Sequence, residues 1–160
     1  MRHLRLLLIA ALCLLPGGAS GAGSVAPPAK LKSVTLHILS RVFPNFHDRV
    51  VAAPKREFRV GDSEYTAEVI RFEPDFTLDL NSHRITSRSG EPRNPAFQIV
   101  TRKSGVPHDT LWAFYNMPPH FGTKEVLAFI ATRIDFTNRP TMESRDSLAL
   151  QLERLSGAAH

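Results

Sequence analysis

From residue 31 onward, apolar and polar residues alternate in short runs separated by Pro, Gly and Asn, a period of two that predicts strands rather than helices. Over 31–43, Val34, Leu36 and Ile38 alternate. Val34, Ile38 and Val42 also share a helical face, but the β-branched content and the following Pro44 favour a strand. Residues 45–56 read as connecting chain with one apolar patch at Val50 and Val51. A β region opens at 58–60, turns at Gly61-Asp62-Ser63 and continues over 65–72, with Tyr65, Ala67 and Val69 on one face and Thr66, Glu68 and Ile70 on the other. Residues 76–80 alternate cleanly and return, through Asn81-Ser82-His83, as a short strand over 84–86, the spacing of a hairpin with a three-residue loop. Strands at 96–101 and 110–115 are joined by a hairpin-length link over 103–107. The last long strand is 126–136, with Val126, Ala128, Ile130, Ile134 and Phe136 sharing a parity that Thr132 interrupts.

Past Pro140 the period changes. Leu148, Leu152 and Leu155 recur at helical spacing, and Ser144 or Ser147 could cap the first turn. The predicted fold is mainly β: a β-sandwich or partly open barrel of about seven or eight short strands with a C-terminal helix. The expected boundaries are a signal peptide at 1–22, a flexible lead-in at 23–30, the β domain at 31–137, and a C-terminal helix and tail at 138–160. Phe58, Phe72, Phe76, Phe97, Trp112, Phe114, Phe129 and Ile134 are the expected core.

The N-terminus adds a destination. Arg2 and Arg5 precede an apolar run over 6–15 and then a small-residue stretch around Gly21 and Ala22, the layout of a secretory signal. The run is shorter than the roughly 20 residues a membrane-spanning helix needs. Cys13, the one cysteine, lies inside it and would leave with it, so the exported chain would hold no disulfide, no thiolate metal site and no cysteine nucleophile. A periplasmic or secreted location is expected. The formal charge of +5 is spread along the chain, often beside acids, and no basic stripe of the kind that binds nucleic acid is present.

Candidate chemistry concentrates between Ser87 and Phe121. This stretch holds the only Trp and ends in a Pro118-Pro119 corner that delivers His120 and Phe121 stiffly. Trp112, Tyr115, His120 and Phe121, with Arg93 and Asn94 in the turn that leads into residues 96–101, form the expected binding surface. Trp112 is either core or an exposed aromatic platform. The histidines His37, His47, His83, His108, His120 and His160 show no HxxxH or HExxH spacing, and no two lie where one strand or helix would converge on a metal. No metal or cofactor is expected. There is no GxSxG or SxxK motif and no glycine-rich phosphate loop. Asp75, Asp79 and Asp109 are the acids open to a hydrolytic role.

Three of these stretches resemble a known family. FRVGDSEYTAEVIRFEPDFTLD, SRSGEPRNPAFQIV and LWAF look like the extracytoplasmic β domain of ResB-type cytochrome c biogenesis proteins. The shared features are Pro74-Asp75-Phe76, Asn94-Pro95-Ala96 and the Trp112-x-Phe114 strand. ResB-type proteins carry several membrane spans with which their haem-handling histidines are associated. The resemblance therefore implies the soluble β domain alone and transfers no catalytic residue. The reading is of a non-enzymatic exported domain that binds an envelope or membrane protein partner in cytochrome c or respiratory-complex assembly. A carrier of a small ligand or haem, and a hydrolase with a carboxylate site, are the alternatives.

Overall fold

The computed structural model describes residues 26–82, 84–118, 125–144 and Gln151. Seven strands form one nearly closed, barrel-like sheet, and two more form a small hairpin laid against it. The strands are β1 (Leu31–Ser40), β2 (His47–Ala52), β3 (Glu57–Arg59), β4 (Tyr65–Glu73), β5 (Phe76–Asp79), β6 (Arg84–Ser87), β7 (Ala96–Lys103), β8 (Val106–Tyr115), β9 (Leu127–Phe136) and the two-residue β10 (Met142–Glu143). The order around the sheet is β2-β1-β9-β8-β7-β4-β3, with β10 also on β9 and β5-β6 apart. Every pair is antiparallel except β8 with β9.

The two ends of this order, β2 and β3, are consecutive in sequence and joined by residues 53–56. No backbone ladder joins them. The seam is held instead by Gly61 N–H donating to the Asp48 carboxylate at 2.7 Å and by Lys55 N–H donating to the Val69 carbonyl at 2.9 Å. Gly61 sits at φ +50° with the Phe46 ring so near that a Cβ would meet it at 3.2 Å, so both its conformation and its space call for glycine.

The barrel interior is apolar: Val34, Leu36 and Ile38 from β1, Ala67 and Val69 from β4, Phe97 and Ile99 from β7, Leu111 and Ala113 from β8, and Leu127, Phe129, Ala131, Ile134 and Phe136 from β9. Two bulges set this pattern. In β4, Ile70 is an extra residue between Val69, opposite Ile99, and Arg71, opposite Gln98. A strict period of two would have carried Arg71 inward. The inserted residue instead brings Phe72 opposite Phe97, and the two rings stack 5.3 Å apart at 22°. In β9, Thr132 is extra between Ala131, opposite Leu36, and Arg133, opposite Thr35.

The second bulge corrects the sequence reading of this strand. Leu127, Phe129 and Ala131 enter the core, and the parity switch at Thr132 lets Ile134 and Phe136 join them, whereas Ala128 and Ile130 are buried outside that cluster. Other expectations also change. Residues 47–52, read as connecting chain, form β2. The link between β7 and β8 is only Ser104-Gly105, with φ of 49° and 81°, the two positive values of a type I′ hairpin turn. The hairpin β5-β6 closes from Asp79 to Arg84, so its loop has four residues rather than three.

Of the expected core, Phe97, Phe129 and Ile134 are buried in the barrel, and Phe58 and Phe72 pack against it. Phe76, Trp112 and Phe114 are not in this cluster. They meet on the outside.

Residues 26–30, expected as a flexible lead-in, are tied down. Ala29 N–H donates to the Gly90 carbonyl, Asn138 Nδ2 to Pro28, and Arg139 Nη2 to Pro27 at 2.6 Å. Met142 and Glu143, in the segment 138–160 expected as C-terminal helix and tail but ahead of its candidate caps, pair with Ile134 and Arg133. The remainder of that helix, apart from Gln151, and the signal segment at 1–22 lie outside the described residues.

Candidate functional site

The alternation of β8 sends Leu111, Ala113 and Tyr115 toward the core and Trp112 and Phe114 to the outer surface. Phe76 from the β5-β6 hairpin lies over both. Its ring meets Trp112 edge-on at 5.4 Å and 62°, and Phe114 at 5.0 Å and 87°. Edge-to-face contacts of this kind align the positive rim of one ring with the negative face of another. Trp112 is thus neither core nor open platform. It is half-buried under a hairpin of its own chain.

The base of the hairpin is stapled by the two motifs singled out in the sequence. The Asp75 carboxylate, 3% exposed, accepts from Arg88 Nη2 at 2.8 Å and from Ser89 Oγ at 3.0 Å. Its backbone N–H donates to Ser87 Oγ at 3.1 Å, and its carbonyl accepts from Arg88 N–H. Burial pushes the Asp75 carboxyl up, but the hydrogen bonds from Arg88 and Ser89 and the charges of Arg88 and Arg93 outweigh it and hold the group below its ordinary value. Asn94 completes the staple. Its Nδ2 donates to the Phe76 carbonyl, its own carbonyl accepts from Phe76 N–H, and its N–H reaches the Pro74 carbonyl. On the far strand, Arg71 Nη2 donates to the Ile85 carbonyl at 3.0 Å.

Beyond this base the hairpin is amphipathic. Phe76, Leu78 and the cross-strand Ile85 share one face, and Thr77, Asp79, Arg84 and Thr86 the other. Only Phe76 is covered by the ring pair, while Leu78 is 42% and Leu80 77% exposed. The loop is shaped by Asp79, whose Oδ1 accepts from the N–H groups of Asn81 and Ser82. These bonds hold its carboxyl below the ordinary range.

The four of the six expected binding residues that lie among the described residues are therefore dispersed. Trp112 belongs to the outer aromatic group. Tyr115 points to the opposite side of the same strand and packs against the core. Asn94 is an internal staple, and Arg93 is exposed beside it. His120 and Phe121 lie outside the described residues. What the sequence reading missed is the hairpin itself as part of the site. The clean alternation at 76–80 was visible, but not that its apolar face would be only half covered.

One pairing lies beyond what histidine spacing along a single element can show. The β1-β2 hairpin brings His37 and His47 together, with His37 Nδ1 3.3 Å from His47 Nε2 and ring centroids 5.3 Å apart. They converge across two strands, not along one. Among the described residues no group of three or more His, Cys, Asp or Glu gathers around a point. A pocket of about 50 Å³, lined by Phe43, Phe46, Tyr65, Val126 and Leu127, opens at the end of the barrel carrying the β1-β2 loop. A recess of about 330 Å³ lies along the seam between Val51, Ala52, Arg56, Glu57 and Phe58.

No known protein family, no curated protein and no solved structure matches this chain.

Proposed function

We propose that the protein is a non-enzymatic β domain that docks a protein partner in the bacterial envelope through the outer face carrying Trp112, Phe114 and the β5-β6 hairpin. The observation that supports this reading most is the half-covered apolar side of the hairpin. Leu78 and Leu80 stay open to water on an element whose base is fixed by Asp75, Arg88 and Asn94. A rigid base with apolar side chains held clear of the core suits association, because little ordering entropy remains to be lost on binding.

The resemblance to ResB-type β domains supports a partner among the proteins of cytochrome c or respiratory-complex assembly. It rests on Pro74-Asp75-Phe76, Asn94-Pro95 and Trp112-x-Phe114, which here build one substructure: the hairpin, its staple and its aromatic seat. Of the acids offered for a hydrolytic role, Asp75 and Asp79 have structural tasks in shaping the hairpin.

Site-specific photo-crosslinking from positions 78, 80 and 112 in envelope preparations tests the proposal. Adducts with one envelope protein from positions 78 and 80, absent from a probe at Ser104 on the far turn, are expected. Equal labelling from all positions, or none, would rule it out. A haem titration followed by its absorption band checks the carrier alternative on the same sample.

A further inference from the structure

We propose that the open end of the β2-β3 seam is a strand-addition site for an acidic extended segment of a protein partner. It is separate from the aromatic face, because β8 is the middle strand of the seven and β2 and β3 are the two ends of their order. The backbone sets the site. Val60 N–H donates to the Tyr65 carbonyl on β4, whereas Gly61 N–H turns to Asp48 across the seam. Successive residues of an antiparallel strand alternate in this way, so Glu57 and Arg59 also aim their N–H and C=O groups at the seam. On β2, Arg49 N–H donates to the Asp48 carboxylate at 2.8 Å rather than to β1. Val51, two residues on, therefore faces the seam as well, toward an edge with which it forms no ladder.

The two ends of the seam differ. At one end the Asp48 carboxylate accepts an N–H from each edge and so stands in for a strand. The other end is the recess of about 330 Å³ between Val51, Ala52, Glu57 and Phe58, within the range of ligand-holding clefts, about 300–1,000 Å³. Val51 is 59% exposed at its rim. Edges of this kind are recognised by extended chains, whose own N–H and C=O groups complete the ladder. The rim also selects by charge. Lys55, Arg56 and Arg59 are exposed and pair with no carboxylate among the described residues, while Glu57 is already held by Arg102 at 3.0 Å. A second copy of this chain would bring the same three cations together. Like charges across a strand pair are destabilising, so the edge resists its own copies and favours a strand that carries Asp or Glu.

The test is an NMR titration of the full chain with a capped peptide of alternating Glu and Val, six residues long to match β2. The acidic peptide should bind at least about tenfold more tightly than its Lys-Val counterpart at low salt, since three exposed ion pairs are gained in one case and opposed in the other. Val51→Pro removes one seam-facing donor. Proline is accepted on an edge strand where its missing N–H faces outward, so the peptide-free melt should match the wild type. Binding should nevertheless weaken about fivefold or more, through one lost backbone hydrogen bond and the intruding ring. Independently of any variant, the amides of Val51, Glu57 and Arg59 in the wild-type chain should exchange with solvent more slowly once the acidic peptide is bound. Failure of the wild type to bind, equal affinity for the two peptides, binding unchanged in Val51→Pro, or slowed exchange confined to other amides would each overturn the assignment.

Discussion

Replacing Phe76 by Ala should detach the β5-β6 hairpin while leaving the barrel folded. Phe76 makes the two edge-to-face contacts that seat the hairpin on β8, with Trp112 at 5.4 Å and Phe114 at 5.0 Å. Each such pair contributes roughly 0.5–1.5 kcal/mol beyond area, and covering most of a Phe side chain contributes roughly 1.5–3 kcal/mol. The sum, roughly 2.5–6 kcal/mol, lowers the ratio of docked to undocked hairpin by at least about sixtyfold, since each 1.4 kcal/mol is tenfold. Trp112 is the only tryptophan in the chain, so its emission reports this contact alone. In the Phe76→Ala variant, emission should shift to longer wavelength and acrylamide quenching should rise at temperatures where far-UV circular dichroism still shows the intact sheet. An unchanged Trp112 spectrum would mean that Phe76 does not seat the hairpin. Coincident loss of fluorescence and circular dichroism signals would mean that hairpin and barrel are one cooperative unit.

Phe97→Ala, in contrast, strikes a wholly buried ring stacked on Phe72 and should cost about 3–5 kcal/mol of global stability, read by denaturant titration with both probes in step. Gly105→Ala places a Cβ in open space but at φ +81°, so strain alone should cost about 1–2 kcal/mol, whereas Ser104→Asn, giving the turn its preferred Asn-Gly pair, should raise the melting temperature slightly. Asp75 and Asp79 are both held below their ordinary value of 3.8, so the stability they lend the hairpin is complete above that pH and is lost as the pH falls through their lowered values. An acid titration should therefore red-shift Trp112 below about pH 4, and Asp75→Asn should remove part of that transition.

The strands that could be read directly from the sequence were the clean alternation at 76–80 and the short apolar runs at 96–101 and 110–115 set off by turn residues, all of which became strands. Where one extra residue breaks the period, the sequence misled. The parity of 126–130 was assigned from Ile134 and Phe136, and a bulge at Thr132 reversed it, because a bulge is fixed by what lies opposite, here Thr35 and Leu36, and not by the bulged residue itself. Residues 47–52 alternate too weakly to declare a strand, and it is the hairpin with β1 that makes them one. At the candidate site, Trp112 stood out as the lone tryptophan, and Pro74-Asp75-Phe76 and Asn94-Pro95 stood out as motifs. That these motifs lock to one another depends on bonds between residues some twenty positions apart, such as Asn94 Nδ2 to the Phe76 carbonyl, which no local pattern reveals. The meeting of His37 with His47 escaped for the same reason.

The place of β9 in the sheet has a consequence for how the chain is made. It is the last long strand synthesised, yet it lies between β1, the first, and β8. A nascent chain that has emerged only as far as β8 can form the β1-β2 hairpin and the β3-β4-β7-β8 group, but it lacks the piece that joins them. Both halves then present a bare strand edge, β1 on one and β8 on the other, and pairing across such edges is the usual start of aggregation. Contacts such as Leu36 with Ala131 wait for the closing of a loop nearly the length of the domain, which slows the final step relative to the hairpins. The protein is therefore most vulnerable late in its synthesis, and a factor that shields β1 and β8 during that interval would raise its yield without touching the finished fold.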